Sequence, residues 1–180
     1  MRLLVIFALW VVIFGGAASA QPMGEAEQPP VFDGREIEFG AYPIGADLAT
    51  LPGDLRAIEP CEPANRDIGD GSCLYRGDDG ITYYVIGDRL IINKWVDVAQ
   101  APPGGLPYGL TGHETPAQAL THMRSRFSLP FVIMRNDVGE QLVTVDGLIR
   151  GGGGIDFLLY LIFSADGRFE QIKLEGPPTV

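Results

Sequence analysis

The chain has 180 residues, 13 Lys and Arg, 23 Asp and Glu, and two cysteines. Without Arg2, the single charge in its apolar N-terminal segment, 12 basic residues face 23 acidic ones, a net charge of −11. A chain this acidic, with its basic residues scattered, is repelled by nucleic acid and anionic lipid, so nucleic acid is excluded as a partner.

Arg2, the apolar run Leu3 to Phe14 and the small residues Ala18-Ser19-Ala20 have the layout of a secretory signal peptide over residues 1–20. The run is short for a membrane span, and no lipid-attachment Cys follows it. The expectation is a periplasmic or secreted protein with no stable membrane anchor after cleavage. The remaining length suits one domain, or two small lobes sharing a core. Residues 21–35 are rich in Pro, Glu, Gln and Gly and are expected to form a flexible leader.

Residues 36–98 form the first expected unit. Leu48, Leu51, Leu55 and Ile58 lie three or four apart, as on one helix face, although Pro52 and Gly53 make that helix short or broken. Glu59 to Ser72 is expected as loop. Cys61 and Cys73 flank it, and in an exported chain such a pair is expected to be a disulfide, because two Cys with the isolated His113 and His122 supply too few donors for a metal. Three strands follow, SCLYR, ITYYVI and RLIINKWV, separated by the turns Asp78-Asp79-Gly80 and Gly87-Asp88. On the last strand, strict alternation puts Leu90, Ile92, Lys94 and Val96 on a core face and Arg89, Ile91, Asn93 and Trp95 on an open face.

Residues 99–107 read as a Pro/Gly linker before a second unit over 108–176 and a tail over 177–180. Thr115-Pro116-Ala117-Gln118 is a helix start with a capping box, and the helix should run to about Phe127, facing the core with Ala119, Leu120, Met123 and Phe127. Phe131 to Met134, Leu142 to Val145, Ile155 to Phe163 and Phe169 to Leu174 read as strands, with Gly151 to Gly154 a turn. The halves line up: Phe39-Gly40 matches Tyr108-Gly109 at an offset of 69, and Arg89, Leu90 and Lys94 match Arg168, Phe169 and Lys173 at 79. That growth implies a duplication with about ten extra residues in the second half.

The aromatic-Gly lead-ins, one helix in each half and the Cys61/Cys73 pair resemble the tandem helix-plus-meander fold of the β-lactamase inhibitor protein and the SmpA/OmlA-type lipoprotein of the outer-membrane barrel-assembly machine. The resemblance covers roughly Ile37 to Leu174. It implies an α+β fold of two tandem helix-then-antiparallel-meander repeats forming one sheet, with helices packed on one face and the other face used as a scaffold for gripping a protein. The chain departs from it by lacking a second cysteine pair and a lipid-attachment Cys.

The sequence contains no GxSxG, no HExxH and no phosphate-binding glycine pattern, and Asp67 to Ser72 lacks the alternating oxygens of a calcium loop. The expectation is therefore a non-enzymatic module that binds another protein, inhibitor-like, with no cofactor, metal or catalytic residues. Arg89, Asn93 and Trp95 are its candidate protein-binding residues. The alternatives are an envelope or outer-membrane assembly accessory factor and a small hydrolase. If Cys61 and Cys73 are bridged, labelling of the denatured, unreduced protein should find no thiol, and Cys73→Ser should lower stability by roughly 2–4 kcal/mol. Two labelled thiols would contradict the bridge.

Overall fold

The structure is a computed structural model that describes residues 30–47, 55–58, 71–87, 90–151 and 154–176. The fold is mixed α+β, a large sheet with one α-helix among the described residues. The strands are β1 (Val31–Asp33), β2 (Arg56–Ala57), β3 (Ser72–Arg76), β4 (Thr82–Ile86), β5 (Leu90–Asp97), β6 (Phe131–Arg135), β7 (Gln141–Val145), β8 (Leu148–Arg150), β9 (Asp156–Phe163) and β10 (Phe169–Glu175), with α1 at Pro116–Arg126. The antiparallel path runs β6-β7-β9-β10-β5-β4-β3-β2. At its centre β10 pairs with β5, so the two halves of the chain share one sheet.

The turns form where Asp and Gly call for them. Gly80, at φ 79°, closes the β3–β4 turn by donating to the Gly77 carbonyl, and Gly167, at φ 85°, closes the β9–β10 turn in the same way. The helix start also follows its sequence: the Thr115 side chain accepts from the Gln118 N–H at 3.3 Å, and the Gln118 side chain accepts from the Thr115 N–H at 2.8 Å. Ala119 and Met123 are fully buried against the sheet, with Leu120 and Phe127 packed beside them.

Three elements depart from the sequence reading. Val31–Asp33, expected in a flexible leader, forms β1 and pairs parallel with β8. Arg56–Ala57, at the end of the expected first-half helix, is instead strand, because β3 offers it a ladder. Residues 48–54 of that helix, most of the Cys61 to Cys73 loop with Cys61 and the Asp67 to Asp70 carboxylates, and Arg89 lie outside the described residues. The third departure is the face assignment on β5. Tyr84 pairs with Asn93 and Val85 with Ile91, leaving Ile92 as one extra residue, a bulge. The bulge shifts the phase, so Ile91 rather than Ile92 shares the buried face with Lys94 and Val96.

The same device recurs on β10, where Glu170 is the extra residue between the pairs Phe169–Phe163 and Gln171–Ile162. In both meanders the registers are alike. Thr82 faces Trp95 as Tyr160 faces Lys173, and each of these residues is 78 positions from its counterpart. Lys94 therefore corresponds to Ile172, and the sequence pairing of Lys94 with Lys173 fails: Lys94 is buried on the core face while Lys173 lies on the opposite one. Leu74 and Leu142, on β3 and β7, are 68 apart, and β8 lies between β7 and β9 in the chain.

Lys94 is fully buried, which is costly for a cation unless it is paired. Its Nζ donates to the Tyr42 carbonyl at 2.8 Å, lies 3.4 Å from Glu38 Oε2 and stands 5.3 Å from the centre of the Phe39 ring. Glu38 in turn accepts from the Ile44 N–H at 3.0 Å, so one lysine fastens the segment 38–44 under the sheet. Asp79 adds a second tie, accepting from the Tyr83 hydroxyl at 3.0 Å and the Ala41 N–H at 3.3 Å. A Cβ on Gly40, which lies at φ 77°, would come within 2.6 Å of that Tyr83 hydroxyl.

Burial pushes the Lys94 ammonium down to about 8, with Glu38 opposing the shift, while burial pushes the Tyr83 and Tyr108 hydroxyls above their usual value of 10.0. Between pH 8 and 10 the unfolded chain keeps a proton that folded Lys94 has released, so stability should rise with pH, by on the order of 2 kcal/mol. Above about pH 10 the unfolded tyrosines ionise first and stability should fall. Urea denaturation across this range checks the maximum, and Lys94→Met should abolish the rising limb.

Candidate binding face

The side chains opposite the core form a continuous surface on which both halves meet. One cross-strand row passes from edge to edge through Val132, Thr144, Tyr160, Lys173, Trp95, Thr82, Arg76 and Arg56. A second row holds Leu158, Glu175, Asn93, Tyr84 and Leu74, and a third Met134, Leu142, Ile162, Gln171 and Asp97. The helix packs against the other side, over β6 and β7.

Of the expected residues, Asn93 and Trp95 both lie on this face. The structure also brings Tyr84, Tyr160 and Lys173 beside them, which sequence reading did not single out. DFLLYLIF is apolar at nearly every position and marks no face by itself; in the structure it alternates buried and half-buried along its whole length, and the half-buried set is Asp156, Leu158, Tyr160 and Ile162. Trp95 is half-buried rather than fully open, because it stands in a row of large side chains between Lys173 and Thr82. Thr82 and Thr144, the small members of that row, are almost completely covered at 2% and 3% exposure.

Polar contacts hold the face in place. Lys173 Nζ meets Glu175 Oε2 at 3.1 Å, the Gln171 amide donates to Asp97 at 2.8 Å, and Asn93 accepts from the Gly176 N–H at 3.0 Å. Arg76 donates to Thr82 Oγ1 at 3.1 Å and to Gln100 Oε1 at 2.6 Å. Burial, with Glu175 adding to it, raises the Tyr160 hydroxyl above its ordinary value. The face thus combines apolar area, aromatic rings and groups already locked by neighbours, which suits recognition with little ordering cost.

The remaining titratable candidates are tied to structure. His122 Nε2 is 2.9 Å from the Tyr108 carbonyl, and His113 is exposed beside Glu114, whose carboxylate accepts from the Thr111 and Gly112 N–H groups. Among the described residues no group of three or more His, Cys, Asp or Glu is placed to hold a metal ion, and no helix is long and apolar enough to cross a membrane. No known protein family, curated protein or solved structure matches the chain.

In protein beginning at Gln21, Trp95 is the sole tryptophan, since Trp10 precedes it. Its emission should fall between the values of buried and fully hydrated indole and be partly quenched by acrylamide. Blue-shifted emission that acrylamide cannot quench would place Trp95 in the core and invert the face assignment.

Proposed function

We propose that this protein is an exported, non-enzymatic module that binds another protein through the open face of its sheet, in the manner of an inhibitor. The observation that carries the reading is the row Tyr160, Lys173, Trp95, Thr82, in which two strands from each half place aromatic and cationic side chains side by side on the face away from the helix. Trp and Tyr are the residue types that dominate protein-binding energetics, and a central, partly desolvated position is where they act. The signal-peptide layout supports export, and a Cys61–Cys73 bridge fits that compartment, with Cys73 buried on β3.

The finer architecture belongs to the same proposal. Two copies of one helix-then-meander unit account for the matching bulges at Ile92 and Glu170 and for the constant 78-residue offset across β4–β9 and β5–β10. They also account for the paired lead-ins. Gly40 and Gly109 have φ of 77° and 76°, and the preceding Phe39 and Tyr108 rings contact each other edge to face at 5.9 Å. Duplication explains why a single face can be broad enough to grip a folded partner: each half extends it by four strands.

Proximity-independent capture with the purified protein as bait identifies the partner, and titration calorimetry then tests the face. Trp95→Ala should weaken binding by about 2 kcal/mol or more while the far-ultraviolet circular dichroism stays unchanged. Unaltered affinity in a folded Trp95→Ala protein would remove the open face from the interaction.

A further inference from the structure

Among the described residues the sheet ends at β6, whose outward backbone is set out for another strand. Asn136 donates its N–H to the Glu140 carbonyl at 3.1 Å, and Asp146 donates to the Pro130 carbonyl at 3.0 Å. These two bonds fix the alternation of the β6–β7 ladder, in which Val132 and Met134 pair inward while Phe131, Ile133 and Arg135 turn their N–H and C=O groups outward. The first outward position is already closed: the Phe131 N–H reaches the Leu129 carbonyl at 2.9 Å, and the Arg124 guanidinium donates to the Phe131 carbonyl at 3.0 Å. Ile133 and Arg135 have no strand beside them among the described residues. Their surroundings are apolar on both sides of the sheet, with Ile133 41% and Met134 54% exposed, and Val138 at the hairpin tip 75% exposed.

An exposed edge flanked by large apolar side chains is a feature soluble proteins ordinarily suppress. The geometry points to a strand-addition site at β6 that takes an acidic extended segment of a partner protein. Main-chain bonds to Ile133 and Arg135 would hold the segment, and its alternate side chains would fall beside Met134 on the open face and Ile133 on the other. Charge selects the partner. The cationic side chains at this edge are Arg124 and Arg135, both exposed, in a chain otherwise strongly acidic; Asp146 is exposed at the end of β7, opposite Pro130. Glu140 is turned back into the hairpin by Asn136 at 2.7 Å, while Asp137 lies beyond the strand at its tip. A second copy fits poorly. Antiparallel pairing about Ile133 would set Arg135 of one chain against Phe131 of the other, where Arg124 already occupies the carbonyl and adds a like charge.

The test uses a fluorescein-labelled peptide of about eight residues, alternating valine and glutamate, and the same peptide with lysine for glutamate. Anisotropy at low salt should show binding of the glutamate peptide, about tenfold or more weaker binding of the lysine peptide, and slowed hydrogen exchange at the Ile133 and Arg135 amides in the complex. Ile133→Pro removes only an outward N–H and leaves the ladder to β7, so the protein should stay folded and lose about tenfold or more in affinity. Arg135→Glu, which touches no backbone group, should produce a comparable loss. The proposal is overturned if the glutamate peptide does not bind or binds Ile133→Pro protein equally well. It is also overturned if the two amides are already protected in the isolated monomer, which would mean the chain's own residues cover the edge. Self-association that Ile133→Pro abolishes would overturn it in favour of a second copy.

Discussion

The antiparallel pairing of β5 with β10 is the contact on which the rest of the molecule depends. Five consecutive residue pairs, from Asp97–Gln171 to Asn93–Glu175, join strands that lie far apart in the chain. On one side of this joint Val96, Ile172 and Leu174 enter the core, and on the other Trp95 and Lys173 meet at the middle of the open face. Without the joint each half would expose a strand edge and half of a core, and the open face would be divided at its centre. The two bulges make this possible. Each brings residues three apart, Ile91 with Lys94 and Phe169 with Ile172, onto one face, so both central strands bury their apolar groups in the same direction.

Below the joint a polar layer fixes how the chain enters the fold. A lysine with no solvent exposure is a specific solution rather than a strongly stabilising one, because its desolvation offsets most of the attraction to Glu38. What it provides is position. The Tyr42 carbonyl and the Glu38 carboxylate accept from the same ammonium, so the lead-in can sit in one place only. Tyr108 continues that layer from the second half: its hydroxyl donates to the Ile37 carbonyl, and its ring contacts Phe39 on one side and Phe127 on the other. The non-glycine positive φ of 64° at Tyr108 is the local strain tolerated for that reach.

Much of this arrangement was legible in the sequence because it rests on local chemistry. Asp78-Asp79-Gly80 marked the β3–β4 hairpin, and the Thr115–Gln118 box marked the helix. The parts that escaped are set by long-range contacts. Leu148–Arg150 is three residues bounded by Gly147 and Gly151, too short for alternation to show, and Val31–Asp33 is strand only because β8 is there to pair with it. The bulge at Ile92 left no trace, since Ile91 and Ile92 are the same residue and either phase looks equally apolar. Alternation placed Lys94 on the core face, but its carbonyl and carboxylate partners, more than fifty positions away in the chain, could not be read from the strand itself. Of the candidate site, Asn93 and Trp95 were identified, but the second half's contribution, Tyr160 and Lys173, required the β5–β10 register.

The two halves form one sheet and therefore one surface. Native-state hydrogen exchange in low denaturant addresses it directly, because amides on β5 and β10 that bond to each other must open together. Ile172, Leu174, Lys94 and Val96 should exchange with the same opening free energy and the same denaturant dependence. Release of the β3–β5 amides in a separate, lower-energy step, with β9 and β10 still protected, would contradict it.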